Sequence, residues 1–335
     1  MNYPLASTTW DDKEIKAMHD VIHSGMFTMG HKVSEFEKEF ANFFGSKYAI
    51  MVNSGSSANL IAVAALFYRK KNSLMAGDEV IVPAVSWATS YHPLQQYGLH
   101  CKFVDIDLNT LNYDLDALQH AVTDKTKMIL AVNLLGNPND FDRIKAIIGN
   151  RDILLLEDNC ESMGASYKGK MAGTFGIMGT FSSFFSHHIS TMEGGIIVTN
   201  DEELFHIMLS LRSHGWTRHL PKNNHVTGQK SDNTFEESFK FVLPGYNVRP
   251  GELHGALGIE QLKKLPSLIA TRRKNAEFFV NQFRNHPFIS IQHEIGESSW
   301  FGFSMIIKKE SLLNRDQVIE ILTKNGVECQ IGRAH

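Results

Sequence analysis

At 335 residues, 43% hydrophobic and 21% charged, the chain has material for a substantial core and for two lobes. A formal net charge of -3 without an acidic or basic tail argues against nucleic acid or an anionic membrane surface as the main partner and points to small molecules. Three widely spaced cysteines, Cys101, Cys160 and Cys329, argue against a disulfide framework, fall short of the thiolates that a cysteine-only iron-sulfur cluster takes, and suit a reducing compartment.

The opening stretch MNYPLASTTWDDKE has neither the basic nor the apolar region of a secretion signal. No run approaches the roughly 18 apolar residues of a membrane span, so a cytoplasmic protein is expected. DDKEIKAMHDVIHSG and KVSEFEKEFANFF then carry charges outside an apolar stripe and read as scaffold helices on the rim. From Tyr48 to about Asn200 the apolar runs YAIMVNS, DEVIVPA, CKFVDID, KMILAVN, DILLLED and GGIIVTN alternate with helical segments such as Ser57 to Lys70, Tyr113 to Thr123 and Asp201 to Ser213. The alternation predicts an α/β fold, and the near-continuous apolar character of the runs predicts a sheet covered on both faces. The polar stretch LPKNNHVTGQKSDNTFEES interrupts the pattern; a loop of that length inside a compact enzyme is functional, interface-forming or disordered. After FVLPGYNVRPGE come two helical patterns, the apolar segment SWFGFSMIIK and a last helix around Arg315 to Lys324, which together read as a small second lobe.

Three segments carry candidate chemistry. NSGSSANL, Asn53 to Leu60, sets a glycine and hydroxyls between a strand and a helix; free amides at the helix start favour an anion, though serine there is also a common helix cap. LLLEDNCESMG ends an apolar strand in Glu157 and Asp158, at the strand end where α/β sheets bind ligands; Asp158 either pairs with a protonated pyridine nitrogen or caps a helix. GTFSSFFSHHISTMEGGIIVTN follows a strand with Ser182, the pair His187 and His188, and Glu193-Gly194-Gly195 before another strand. Adjacent positions point apart on a strand or helix, so the two histidines chelate one metal poorly and no metal site is expected. A buried structural pair, or a base beside a cofactor, remains open.

In this order the three segments resemble the sugar aminotransferase branch of the fold-type-I pyridoxal-phosphate enzymes, the DegT/DnrJ/EryC1/StrS family, over nearly the whole chain. The resemblance implies an aspartate aminotransferase-like α/β fold. Its large domain, residues 1–248, would hold a mostly parallel central sheet flanked by helices, and residues 249–335 would form a smaller C-terminal α/β domain. The family's chains continue further, and the ending CQIGRAH after Glu328 diverges, so the small domain is expected to be incomplete and to leave apolar surface uncovered.

In that family a serine, four residues and a lysine precede a Glu-Gly-Gly turn, and the lysine's amine holds the cofactor covalently. Ser182 fits the serine, but counting back from Glu193-Gly194-Gly195 the lysine position holds His187, which has no amine to offer. Histidine there resembles the branch's dehydratases, which remove the 3-hydroxyl of a nucleotide-linked 4-keto-6-deoxy sugar. One kind acts on CDP-sugars with an iron-sulfur cluster; the other acts on GDP-sugars, has no cluster and draws on glutamate. The cysteine count favours the second kind, as do NYPLASTTWDD, FTMG, VPAVSW, NLLGNPN, SHHISTMEGG, SHGWTR and FVLPGYNVRP. The implied cofactor is pyridoxal 5'-phosphate with its amine form, pyridoxamine 5'-phosphate, and the implied partners are GDP-4-keto-6-deoxymannose and L-glutamate.

Residue by residue, the resemblance assigns Gly55, Ser56 and Ser182 to the cofactor phosphate, Trp87 to stacking on the pyridine ring, and Asp158 to its nitrogen. Glu161, where the aminotransferases usually have glutamine, would lie beside the ring, and Asn247 would reach the phosphate of a neighbouring subunit, which requires a homodimer with shared sites. His214 and Arg249 would take glutamate, with Gly25, Met26, Phe27, Thr28, Arg218 and Glu328 near the nucleotide-sugar. His187 would remove a proton and return it to the leaving hydroxyl. Two alternatives stay open: a nucleotide-sugar 4-aminotransferase, which leaves nitrogen in its product, and an inactive homologue that binds nucleotide-sugar.

Overall fold

In the computed structural model, which describes residues 2–330, the six apolar runs and the strand leading into Ser182 join in one seven-stranded sheet. The strands are β1 (Tyr48–Val52), β2 (Glu79–Pro83), β3 (His100–Val104), β4 (Thr126–Val132), β5 (Leu154–Asp158), β6 (Met178–Ser182) and β7 (Gly195–Thr199). Their order is β1-β7-β6-β5-β4-β2-β3. From β3 to β6 all neighbours pair in parallel, while β7 runs antiparallel to both β6 and β1. The sheet is therefore mostly parallel, as expected.

Ten helices are described: α1 (Asp12–Ser24), α2 (His31–Phe44), α3 (Gly55–Tyr68), α4 (Ala88–Gln96), α5 (Leu115–Ala121), α6 (Phe141–Ile148), α7 (Glu202–Leu211), α8 (Thr234–Glu237), α9 (Glu252–Phe283) and α10 (Arg315–Lys324). Successive strand residues face opposite sides of a sheet. Ile50, Val80, Leu130, Leu156 and Ile197 accordingly pack with α3 and α7, whereas Met51, Phe181 and Ile196 pack with α2 and α9, and Ile81, Ile129 and Leu155 with α5 and α6. Both faces are covered, which is why the runs lack polar alternation.

Two expectations need correction. The segment KVSEFEKEFANFF does not lie on the rim: α2 buries Val33, Phe36, Phe40, Ala41 and Phe44, and the Phe40 ring meets Phe181 edge-on at 5.3 Å. Burying such a side chain contributes roughly 1.5–3 kcal/mol, enough to outweigh the charges on the opposite face. The two helical patterns after Pro250 are one helix, α9, of 32 residues with Pro266 inside it. Proline interrupts the ladder locally, but Leu262, Leu265 and Ile269 on either side of it share one buried cluster that carries the helix through. In SWFGFSMIIK only Ile306–Ile307 is a strand, paired with Ile289–Ser290, while Trp300 is buried.

The polar stretch after Leu220 is tied down. Asn223–Asn224 pairs with Gly228–Gln229, and the buried carboxylate of Glu237 accepts hydrogen bonds from Thr217 Oγ1 at 2.8 Å and from the Ser231 amide at 2.9 Å. At the far end, the Glu328 amide donates to Tyr3 O at 2.9 Å, and Leu312 and Ile321 are exposed. The last five residues of CQIGRAH lie outside the described ones. No helix among the described residues is long and apolar enough to cross a membrane.

Candidate active site

The C-terminal ends of β4, β5 and β6 meet the start of α3, and the floor of the site is built there. Ser54 is the helix cap, its Oγ accepting from the Ser57 amide at 3.1 Å, which leaves Gly55 and Ser56 at the first helical positions with Ser56 exposed. Gly55 is pressed against Ser182 at the end of β6: a Cβ added to it would stand 2.7 Å from Ser182 Cβ and 3.1 Å from Cys160 Sγ.

Asp158 ends β5 and does not cap a helix. It is 4% exposed, and its carboxylate accepts from Ser90 Oγ at 2.7 Å, Asn59 Nδ2 at 2.9 Å and the Cys160 amide at 3.1 Å. Asn59 is fixed in turn by Thr180 Oγ1, which donates to its Oδ1 at 2.6 Å. Strand β5, helix α3, helix α4 and strand β6 thus converge on one carboxylate. Its hydrogen-bond partners are all uncharged.

Between β6 and β7 the loop with the two histidines closes on itself. Ser183 and Thr191 hydroxyls lie 2.6 Å apart, the Ser183 amide donates to Gly194 O at 2.9 Å and the Phe185 amide to Met192 O at 3.0 Å. Met192 takes a left-handed φ of 68°, and side chains on Gly194 or Gly195 would collide with Thr191 Oγ1 and with the Ser54 carbonyl, respectively. The Glu-Gly-Gly turn is thereby seated directly on the start of α3.

The two histidines differ in burial, although both rings lie near Phe301. His188 is 1% exposed with Nε2 3.2 Å from Ser299 O. His187 is half-buried between the rings of Phe184 and Phe301, at 5.9 Å and 5.1 Å, and its Nδ1 is buried without a partner. Burial lowers its pKa to about 4 and the Arg272 guanidinium adds to this, against the pull of Asp158. Glu161, one turn beyond Asp158, accepts from the Leu135 amide at 2.9 Å, and Leu135 itself has a φ of 55°. Burial, helped by the charge of Asp158, pushes the Glu161 carboxyl up to about 7.

The remaining predicted residues form a rim. Trp87, at the start of α4, is 60% exposed. His214, with a φ of 62°, and Asn247 are exposed, and Ser213 bridges to Asn247. Arg249 Nε donates to Asn247 Oδ1 at 3.1 Å, and Val248 O accepts from the Asn53 amide at 2.9 Å, which moors this segment beside the floor. Arg218 is exposed and lies over the Trp216 ring at 5.2 Å. Gly25, Met26, Phe27 and Thr28 follow α1, exposed, with Phe27 O accepting from the Glu252 amide at 3.0 Å. Glu328 takes the Leu5 amide on its carboxylate at 2.9 Å. The structure thus brings Gly55, Ser182, Asp158, Glu161 and His187 together, and leaves Trp87, the 214–249 group, Gly25 to Thr28 and Glu328 as separate exposed stations.

Asn59, Ser90, Thr180, Leu135, Arg272 and Phe301 were not singled out from sequence. Asn59 had a signal, a lone amide inside the apolar run of α3. The others are brought in by tertiary packing alone.

The chain matches the DegT/DnrJ/EryC1/StrS aminotransferase family over residues 8–332. It is 67% identical over 330 residues to GDP-4-keto-6-deoxy-D-mannose 3-dehydratase of Escherichia coli O55:H7, covering 98% of this chain and 85% of that protein. A crystal structure of GDP-4-keto-6-deoxymannose-3-dehydratase with a trapped PLP-glutamate geminal diamine superimposes with a TM-score of 0.98 at 66% identity, covering 99% of this chain and 86% of the other. A mutant of GDP-4-keto-6-deoxymannose-3-dehydratase with bound GDP-perosamine superimposes with a TM-score of 0.97 at 67% identity, covering 98% and 85%. The chain belongs to the DegT/DnrJ/EryC1/StrS aminotransferase family.

Proposed function

We propose that this protein removes the C3 hydroxyl of GDP-4-keto-6-deoxy-D-mannose, using pyridoxal phosphate and glutamate and releasing ammonia and 2-oxoglutarate. The observation that carries this reading is His187 at the lysine position of a member of this family, with the rest of the floor intact. Relatives at 66–67% identity that bear this activity's name support it, one of them holding a PLP-glutamate adduct and one a GDP-sugar.

The floor fits the cofactor. The close approach of Gly55 to Ser182, which leaves no room for a side chain, sets the first amides of α3 beside the Ser182 hydroxyl, and this suits a phosphate. The buried Asp158 carboxylate, with only neutral partners, suits a protonated ring nitrogen, and the exposed face of Trp87 suits a stacked ring. When bound, the cofactor in its amine form supplies a primary amine and an electron-withdrawing ring.

The chain's own residues do the rest. His187, neutral at cellular pH because burial disfavours its charge, accepts the proton released ahead of cleavage of the C3–O bond and returns it to the departing hydroxyl, which leaves as water. Having no amine, it cannot compete with glutamate's amine for the aldehyde form, so glutamate resets the cycle. Glu161, holding its carboxyl near neutrality, lies on the same side as Asp158 and can donate as well as accept. We assign Arg249 and His214 to glutamate, and Arg218, Gly25 to Thr28 and Glu328 to the nucleotide-sugar.

We further assign Asn247 to the phosphate of a neighbouring subunit in a cytoplasmic homodimer, with residues 1–248 and 249–335 as its two domains. Phe184, Phe185, Phe239 and Phe241 are exposed and offer apolar surface to such an interface. Light scattering on the purified protein tests the dimer. Mass spectrometry tests the reaction: with pyridoxal phosphate, glutamate and GDP-4-keto-6-deoxymannose, loss of the 3-hydroxyl is expected, whereas a stable 4-amino sugar would make the protein an aminotransferase.

A further inference from the structure

The segment Ser298 to Phe301 belongs to the C-terminal part of the chain, yet it is strapped onto the site from three sides. The Ser299 amide donates to Gly136 O at 3.0 Å and the Phe301 amide to Leu135 O at 3.1 Å, on the loop after β4. Arg272 of α9 donates to the carbonyls of Trp300 and Phe301 at 3.0 Å and 3.1 Å. His188 closes the third side through Ser299 O at 3.2 Å. Two backbones approach closely here: a Cβ on Gly136, whose φ is +96°, would stand 2.6 Å from the Trp300 amide nitrogen.

This anchoring aims one ring. Phe301 stands 5.1 Å from His187 and 5.7 Å from His188, centroid to centroid. His187 also has Phe184, of the same loop, at 5.9 Å. Phe301 is the neighbour that comes from elsewhere in the chain. The charged groups reaching His187 are Asp158 on β5, which favours the imidazolium, and Arg272 on α9, which disfavours it; His188 is the adjacent titratable group. Arg272 therefore acts twice in one direction, by holding the strap and by its charge.

We propose that Phe301 is a positioning residue for His187: its ring keeps water from the imidazole and fixes its orientation, so that the base is competent only while the 298–301 strap is seated on the loop after β4. The same loop presents the Leu135 amide to Glu161. Seating of the C-terminal segment is thereby coupled to both flanking groups of the floor. The inference rests on the reading of His187 as the base, but its test does not need turnover.

The test is a histidine titration followed by NMR on protein labelled at imidazole Cε1, with the His187 signal assigned by its loss in H187Q. Phe301→Ala is expected to raise the His187 midpoint by about one pH unit toward the ordinary imidazole value, and Phe301→Leu to restore most of the low value. The acid limb of the dehydration pH profile should move with it. A folded F301A whose His187 midpoint is unchanged overturns the proposal, even if its thermal stability falls. Should F301A not fold, Phe301→Val, which shortens the reach of the side chain, is read in the same way. A shifted midpoint in a protein that performs no dehydration leaves the Phe301 assignment standing and removes the proposed function instead.

Discussion

Asp158 on the floor accepts hydrogen bonds from Ser90, Asn59 and the Cys160 amide, at 2.7, 2.9 and 3.1 Å, whereas Arg218, His214 and Asn247 stand exposed on loops. The floor is fixed by hydrogen bonds from several elements of one chain, whereas these loop residues are open to solvent. Preorganised floors carry reaction chemistry because nothing needs reorganising when charge develops. On the proposed function, a rim of this kind would set which molecule is admitted.

The contrast is sharpest at His187. Replacing it by alanine is expected to lower kcat for dehydration by roughly 10²–10⁴-fold while cofactor binding, read by absorbance, persists. If H188A rather than H187A has this effect, the division of the pair is reversed. Next is Asp158→Asn, which removes the charge from the centre of the buried network; a stability loss of about 1–3 kcal/mol in chemical denaturation, with weakened cofactor retention, is the expected result. A rim change should look different: Arg249→Ala is expected to raise the KM for glutamate about tenfold with kcat nearly kept, and an equal loss in kcat would place Arg249 with the floor.

A further effect concerns pH. The folded chain holds the Glu161 carboxyl at about 7, above its ordinary 4.5, so the protonated form is favoured by folding. Its contribution is fully present below pH 4.5 and is lost as pH rises through 7. Between pH 5 and 8 the wild type should therefore lose stability relative to Glu161→Gln, by about 2.5 kcal/mol, in parallel urea titrations. Glu157, also pushed up to about 7 by burial, is present in both and cancels. A difference that does not change with pH would mean that Glu161 stays charged.

The floor was legible because its parts are contiguous: NSGSSANL, LLLEDNCESMG and the segment from Ser182 to Gly195 each bring strand, turn and reactive residue in one stretch. The roles within them came from family resemblance, since a serine before a helix or an aspartate after a strand has commoner uses. Asn59 lay inside a quoted motif and still escaped, because its partners Asp158 and Thr180 arrive from two other strands. The burial of α2 was missed for a related reason. Its charges drew the eye, but Glu37 among them turns inward to the buried Arg212. Phe301 left no local trace, as a phenylalanine in an apolar segment reads as core wherever it points.

Gly195 lies flat against the Ser54 carbonyl, so the loop bearing His187 and the turn bearing Gly55 share one mount. On the proposed function, the side chain at position 187 can then be exchanged during descent without rebuilding the mount beneath it. A lineage could alter what the enzyme makes by one codon, and selection would act on the tool while the holder was inherited unchanged.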